Sequence, residues 1–215
     1  MRLEILDRAL LREIDERLEE GARKAGNRLV CRPGCVSCCM GVFTINLLDA
    51  RRLRRGLAQL ERAEPVKARA VRERAEEAVR LFQQEFPGNA TTGLLGEDEE
   101  KIDAFTANFA AIACPALDPA TGLCDLYVHR PLTCRTFGLP IRQGIENLPP
   151  CSLCFQGCSS KEIENCRVET DPDGLENAIL CELLDVDADG GRETIVAYAL
   201  ITDLRLASND RTDKS

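Results

Sequence analysis

Four cysteines fall within nine residues, Cys31-Arg-Pro-Gly-Cys35-Val-Ser-Cys38-Cys39, and three more, Cys114, Cys124 and Cys134, follow 75 to 95 residues later among Pro, Gly and Arg. A chain that concentrates thiols in this way folds around something soft that they can hold, a metal ion or an iron–sulfur cluster. Pro33-Gly34 makes the first run a turn rather than a helix interior. A turn lets side chains three and four residues apart converge, so Cys31, Cys35 and Cys38 can close on one point. Cys38 and Cys39 read differently. Adjacent side chains diverge by about 100° on a helix and to opposite faces on a strand, so one of the pair is expected to face a second site or the core.

The later segment supplies the other half. Asp118-Pro119-Ala-Thr-Gly122 is strong turn chemistry, which places Cys114 and Cys124 on two arms of a hairpin, facing each other. Arg130-Pro131 starts a short helical turn that presents Cys134 to the same centre, so seven candidate ligands result. A third group, Cys151-x2-Cys154-x3-Cys158, follows Pro149-Pro150, and any one of its members completes eight, enough for two four-ligand sites. Cys166 and Cys181 lie within helical patterns and read as ordinary buried thiols. The single histidine, His129, sits between Val128 and Arg130 and reads as facing solvent or the core.

The compartment decides what thiols do. Nothing near Met1 has the continuous apolar run of a secretory signal, and no stretch of 18 apolar residues could span a membrane. A cytoplasmic location is therefore expected, where persistent disulfides are rare and clustered thiols point to metal or redox chemistry. Twelve cysteines in 215 residues also fall below the roughly 8–10% typical of secreted disulfide scaffolds. The net charge of −8 and a pI near 4.9 argue against nucleic acid, whose binders display a basic face.

The remainder reads as helix. Leu3, Leu6, Leu10, Ile14 and Leu18 recur at helical steps from residue 2 to about 25. Gly41–Ile45 reads as a short apolar strand. A helix from Asn46 carries Leu47, Leu53, Leu57 and Leu60 on one face, and Pro65 opens the next, which runs to about Phe86 along Val71, Ala75, Ala78 and Phe82. Ten basic residues between Arg51 and Arg80 are interleaved with glutamates, as on a solvated, salt-bridged face. Residues 88–96 read as a loop whose glycines fit neither phosphate-binding pattern. Further helices are expected over Glu97–Ala111, Ser160–Cys166, Leu175–Leu184 and Thr194–Leu204.

The fold class expected is mainly α, a helical shell around a small irregular cysteine-rich metal-binding centre with a short β-hairpin. No alternation of strands and helices indicates a parallel sheet. The organisation expected is an N-terminal amphipathic helix over 1–30, a cysteine-cluster domain with inserted helices over 31–158, C-terminal helices of the same domain over 159–207, and a flexible tail over 208–215.

The combined run CxxxCxxCC, then CPxL, GxCxLY, RPxxCRxFG and a late CxLC, extending from Cys31 through Gly157, resembles the YkgJ-like cysteine-cluster family, also described as CxxCxxCC or zinc- or iron-chelating domains. The first spacing, Cys31-x3-Cys35, is one residue longer than the family's usual CxxC. The resemblance implies metal or iron–sulfur binding through Cys31, Cys35, Cys38, Cys39, Cys114, Cys124 and Cys134, with Cys151 as the eighth ligand. A related cluster occurs in flagellin lysine-methylating enzymes, which brings in methyl transfer as a possible inheritance.

Cys31-x3-Cys35-x2-Cys38 also has the spacing of radical S-adenosylmethionine enzymes, but those carry it on a βα barrel and usually place an aromatic where this chain has Ser37. Cysteine-only ligation with close triplets favours an iron–sulfur cluster, of 4Fe-4S type, over zinc. Arg130 and Arg135 are candidate donors to the sulfurs or an anion grip, against simple pairing with Asp118 or Asp125. The expectation is thus a cytoplasmic metal-binding protein carrying an iron–sulfur cluster or Zn2+. Its alternatives are a cluster-dependent protein-modifying enzyme such as a lysine methyltransferase, a structural zinc module, and a metal chaperone serving a protein client. One histidine and no paired-carboxylate motif leave conventional hydrolase readings weak.

Overall fold

The structure, a computed structural model, describes residues 2–186 and 191–202. Its helices are α1 (Arg2–Ala25), α2 (Leu47–Ala63), α3 (Pro65–Phe82), α4 (Glu99–Asn108), α5 (Leu132–Thr136), α6 (Ser160–Glu164), α7 (Leu175–Val186) and α8 (Val196–Ile201). Between them run short strands: β1 (Thr44–Asn46), β2 (Gly88–Asn89), β3 (Leu94–Leu95), β4 (Leu117–Asp118), β5 (Leu123–Cys124), β6 (Ile141–Gln143), β7 (Glu146–Leu148), β8 (Val168–Glu169) and β9 (Glu193–Ile195). The mainly α class with an irregular cysteine-bearing part is what the sequence leads one to expect. The expected tail over 208–215, and the end of the last helix at Leu204, lie outside the described residues.

The chain divides into two compact units, one of Met1–Arg32 with Leu132–Asp185, the other of Pro33–Pro131 with Val186–Ser215. Two of the three boundaries fall inside cysteine motifs. Arg32/Pro33 cuts Cys31 from Cys35, and Pro131/Leu132 cuts the Arg-Pro pair from Cys134.

In the first unit, the apolar stripe of α1 buries Leu10, Ile14 and Leu18, and continues through Gly21 to Ala25. Gly21 is needed because a Cβ there would run into Val168 of β8. β8 pairs in parallel with β6, which pairs antiparallel with β7. That single parallel pair was not foreseen: it needs a crossover, which the turn-rich stretch containing α6 provides. α6 is started by a capping box in which Ser159 and Glu162 satisfy each other's amides.

In the second unit, Asn46 accepts the amide of Asp49 at 2.9 Å and caps α2. Pro65 occupies the first turn of α3, where its missing N–H costs nothing. The core gathers Ala78, Phe82, Phe86, Leu95, Phe105, Ile195, Ala197 and Tyr198. Phe82 meets Phe105 edge-on with centroids 5.7 Å apart, and Phe109 at 4.9 Å. Phe86 is buried although α3 ends at Phe82, because the turn after the helix carries it back inward. Residues 88–96 are a tight hairpin of β2 and β3 rather than a plain loop. β1 pairs with β9, matching Thr44 to Ile195. Among the described residues, no helix is long and apolar enough to cross a membrane.

The basic stretch is only partly a solvated face. Lys67 pairs with Glu64 at 2.7 Å, Arg69 with Glu73 at 2.9 Å, and Arg72 with Glu61. Arg52 departs from the pattern: it is 1% exposed and bonds Asp49, 2% exposed, at 2.6 Å. The i,i+3 spacing on α2 lets the two charges enter the interior together.

Candidate metal centre

In the second unit, a 3₁₀ turn over Ser37–Cys39 leads into extended backbone at Met40. An isolated antiparallel bridge pairs Met40 with Ala113. The amide of Cys114 donates to the carbonyl of Cys39 at 2.7 Å, and that of Gly41 to Ile112 at 2.7 Å. This short two-stranded contact makes Cys39 and Cys114 neighbours across the bridge.

Cys124 arrives on the hairpin, where it pairs with Leu117 of β4. Cys114 lies before that arm, in a turn closed by the amide of Leu117 on its carbonyl at 2.9 Å. The hairpin tip is built as its residues suggest: Asp118 accepts from Thr121 at 2.7 Å and from the amide of Ala120 at 3.0 Å. The turn holding Gly34 and Val36 packs against Gly122 of that tip, where a Cβ would lie 3.5 Å from the Gly34 Cα. Cys35 is carried on this loop.

A hydrogen bond between the Cys38 and Cys39 thiols, at the end of the 3₁₀ turn, is the first cause of the shifts in both. The bond acts oppositely on the partners. It is the main cause that takes the Cys38 thiol down to about 6, with the nearby Arg130 guanidinium helping, and the main cause that pushes Cys39 up. Burial pushes Cys114 up to about 12, and burial also raises Cys124. Charge on Cys38, Cys114 or Cys124 is felt at Cys39, so these four sulfurs lie in one electrostatic neighbourhood.

Two arginines hold this neighbourhood. Arg74 of α3 donates through Nε to the carbonyl of Pro115 at 2.8 Å and through Nη2 to Asp125 at 2.6 Å, which ties together the segments that enter and leave the β4–β5 hairpin. Sequence reading placed Arg74 among the solvated basic residues; its i,i+4 companions on the helix gave no hint of a partner 51 residues away. Arg130 lies over the Tyr127 ring at 3.8 Å and donates to the Tyr127 carbonyl at 2.9 Å, with its charge lowering both Cys38 and Cys124. His129 bonds Gln59 at 2.9 Å and packs on Gly56, so it is engaged by α2 rather than by the thiols.

The first unit holds Cys31, Cys134, Cys151, Cys154, Cys158, Cys166 and Cys181. Cys166 is buried as expected, but Cys181 is exposed, because its position on α7 falls on the outward face. Arg135 bonds Asp15 of α1 at 2.9 Å, not Asp118 or Asp125. Cys31 Sγ stands 3.8 Å from Cys154 Sγ.

Among the described residues, no group of three or more His, Cys, Asp or Glu side chains is already drawn together as a metal cage. The donor chemistry nonetheless fits a soft metal. Several of the cysteine thiols share one neighbourhood, and the nearby Asp125 carboxylate is engaged by Arg74.

Neither the curated proteins nor the solved structures contain a match to this chain. A family model does match, over residues 30–152, and its description is "Putative zinc- or iron-chelating domain". With more than half its length covered, and with its thiols grouped as described, the chain belongs to the CxxCxxCC family.

Proposed function

We propose that this protein is a cytoplasmic thiolate chelator, in which Cys35, Cys38, Cys39, Cys114 and Cys124 of the second unit receive zinc or iron, iron as an iron–sulfur cluster being favoured. The observation that carries the reading is the backbone bridge that sets Cys39 beside Cys114, with Cys38 in the adjoining turn and Cys124 on the neighbouring hairpin. All donors are sulfur, and the one histidine is engaged elsewhere, which suits cluster ligation better than the mixed Cys/His sets common for zinc. When bound, such a group supplies electron transfer or a Lewis-acidic iron. The chain's own residues hold it, with Arg74 fixing the hairpin and Arg130 offsetting the negative charge of the thiolates.

A purely structural role for the metal is the weaker reading. The aromatic core around Phe82 and Phe105 contains no cysteine and can hold the second unit together without one. A protein client that receives the metal, or a protein substrate modified with its help, remains compatible with the exposed rim of the site. The acidic net charge of −8 disfavours nucleic acid as that partner.

The test is anaerobic purification with iron, zinc and acid-labile sulfide analysis. Iron and sulfide in equal amounts, lost in Cys114→Ser and Cys124→Ser, support the cluster. Zinc without sulfide leaves chelation standing and removes the cluster. A protein that takes up neither metal overturns the proposal.

A further inference from the structure

Cys31 and Cys154 are 123 residues apart in the chain, yet within the first unit their sulfurs stand 3.8 Å apart. Cys154 lies two residues beyond the family-matched segment, so the pair joins a motif cysteine to one outside the match. The backbone brings the two together. The amide of Phe155 donates to the Arg28 carbonyl at 2.8 Å, and that of Cys151 to the Gly138 carbonyl at 3.3 Å. Cys154 is held in a tight turn, its amide on the Cys151 carbonyl at 2.8 Å. Phe155, at φ +55, adopts a conformation that a large residue takes only when its surroundings impose it. Cys31 Sγ fills the space that Gly138 leaves, 2.7 Å from where a Cβ would stand, and Gly138 at φ +109 lies in the region that favours glycine.

The pair is asymmetric. Cys31 is exposed, whereas Cys154 is buried. A disulfide bond is about 2.05 Å long, so closing the gap takes less than about 2 Å of sulfur movement, within reach of a χ1 adjustment. One thiol open to solvent, in contact with one sheltered from it, is the arrangement that stepwise thiol–disulfide exchange uses. The outer sulfur meets the incoming disulfide, and the inner one resolves the mixed product.

We propose that Cys31 and Cys154 are a modification site, closing a reversible disulfide by exchange with a small soluble disulfide of the glutathione class. The Cys31 thiolate, its proton released to solvent, attacks one sulfur of oxidised glutathione. The glutathione S–S bond breaks, and one glutathione leaves as a thiolate that takes up a proton. Cys154 then gives its proton to solvent and attacks the Cys31 sulfur, expelling the second glutathione on the exposed side. Two protein thiols are oxidised, and one glutathione disulfide is reduced to two thiols. The new bond ties the segment that follows α1 to the turn carrying Cys154. In a reducing compartment it is transient, reopened by the reverse exchange. The inference concerns the metal-free chain and goes beyond the chelating function proposed above.

The test equilibrates the full chain, reduced and freed of metal, in anaerobic mixtures of reduced and oxidised glutathione. After acid quenching and alkylation, it is read by non-reducing electrophoresis and by sequencing of linked peptides in the mass spectrometer. The denatured chain, looped between residues 123 positions apart, migrates faster than the open one. Wild-type protein is expected to convert to the faster form, with Cys31–Cys154 as the assigned bond. Cys31→Ser should lose that form. Cys154→Ser should lose it too and retain one glutathione on Cys31, while Cys181→Ser should behave as wild type. Cys31 is exposed, so its variant reports even where the buried Cys154→Ser fails to fold. Absence of the Cys31–Cys154 link at every glutathione ratio overturns the proposal. So does a link from Cys31 to Cys151 or Cys158 in its place, or a faster form undiminished in Cys31→Ser. No metal enters the assay, so its outcome is separate from whether the chain chelates zinc or iron.

Discussion

Cys39 and Cys114, 75 residues apart in the chain, are joined by a backbone hydrogen bond of 2.7 Å from the Cys114 amide to the Cys39 carbonyl. Neither thiol takes part in that bond, so the backbone sets their proximity before any metal arrives. Pre-set donors lower the ordering cost of binding. Substituting the side chain therefore removes a ligand without removing the scaffold. Cys114→Ser should keep the helical circular dichroism of the wild type while the thiolate-to-Co2+ charge-transfer intensity of the second unit falls by about a quarter, for a four-thiolate site. Unchanged intensity would take Cys114 out of the ligand set.

Arg74 should be the position outside the cysteines most costly to the site. Its guanidinium reaches Pro115 on one arm and Asp125 on the other, and the Asp125 side chain is only 6% exposed. Arg74→Met leaves that carboxylate without its cation, a loss of about 2 kcal/mol, measurable by urea denaturation. Arg74→Lys should recover little, because one ammonium on a flexible stem does not reproduce the two-pronged grip. Full recovery by lysine would show that charge alone matters.

The helices were legible because their signals are local. Leu10, Ile14 and Leu18 mark α1 by period, and Asn46 and Pro65 mark the starts of α2 and α3 by capping chemistry. The cysteine run was legible as a metal motif from spacing alone. What spacing does not contain is the partner of each thiol. The run reads as bringing Cys31, Cys35 and Cys38 to one point, yet the structure divides it at Arg32/Pro33 between two compact units. Cys31 stands beside Cys154, 123 residues on, and Cys39 beside Cys114. Long-range pairings of this kind depend on how the intervening helices pack, and nothing at positions 31–39 encodes that. The same limit hid Arg74, whose partners lie across a loop.

The buried pair Asp49–Arg52 makes a separate prediction about folding. Both side chains are essentially inaccessible and 2.6 Å apart. Asp49→Ala removes the carboxylate bonded to this buried guanidinium of the second unit, which costs about 3–5 kcal/mol. Replacing both residues by apolar ones of similar size should cost far less, since the desolvation of two charges disappears with them. Thermal unfolding of the two variants decides it: a double variant as unstable as Asp49→Ala would mean that the pair itself, rather than the cost of one buried charge, sustains the fold.

The thiols of the second unit should titrate in an unusual order. Cys38 is brought down to about 6 by the hydrogen bond from Cys39, with Arg130 assisting, while Cys114 is pushed up to about 12 by burial. A lowered value means the thiolate predominates above it, so at pH 7 Cys38 is charged and Cys114 is not. In the metal-free protein, iodoacetamide should label Cys38 first, at a rate that climbs as pH rises through about 6 and then levels, because thiolate is the nucleophile. Cys114 should react only in strong alkali. Arg130→Gln removes one of the charges that favours the Cys38 thiolate and should move its rate profile to higher pH. Metal loading should abolish the labelling. A Cys38 profile centred where an ordinary free cysteine titrates would show that the Cys39 hydrogen bond does not hold the thiolate in solution.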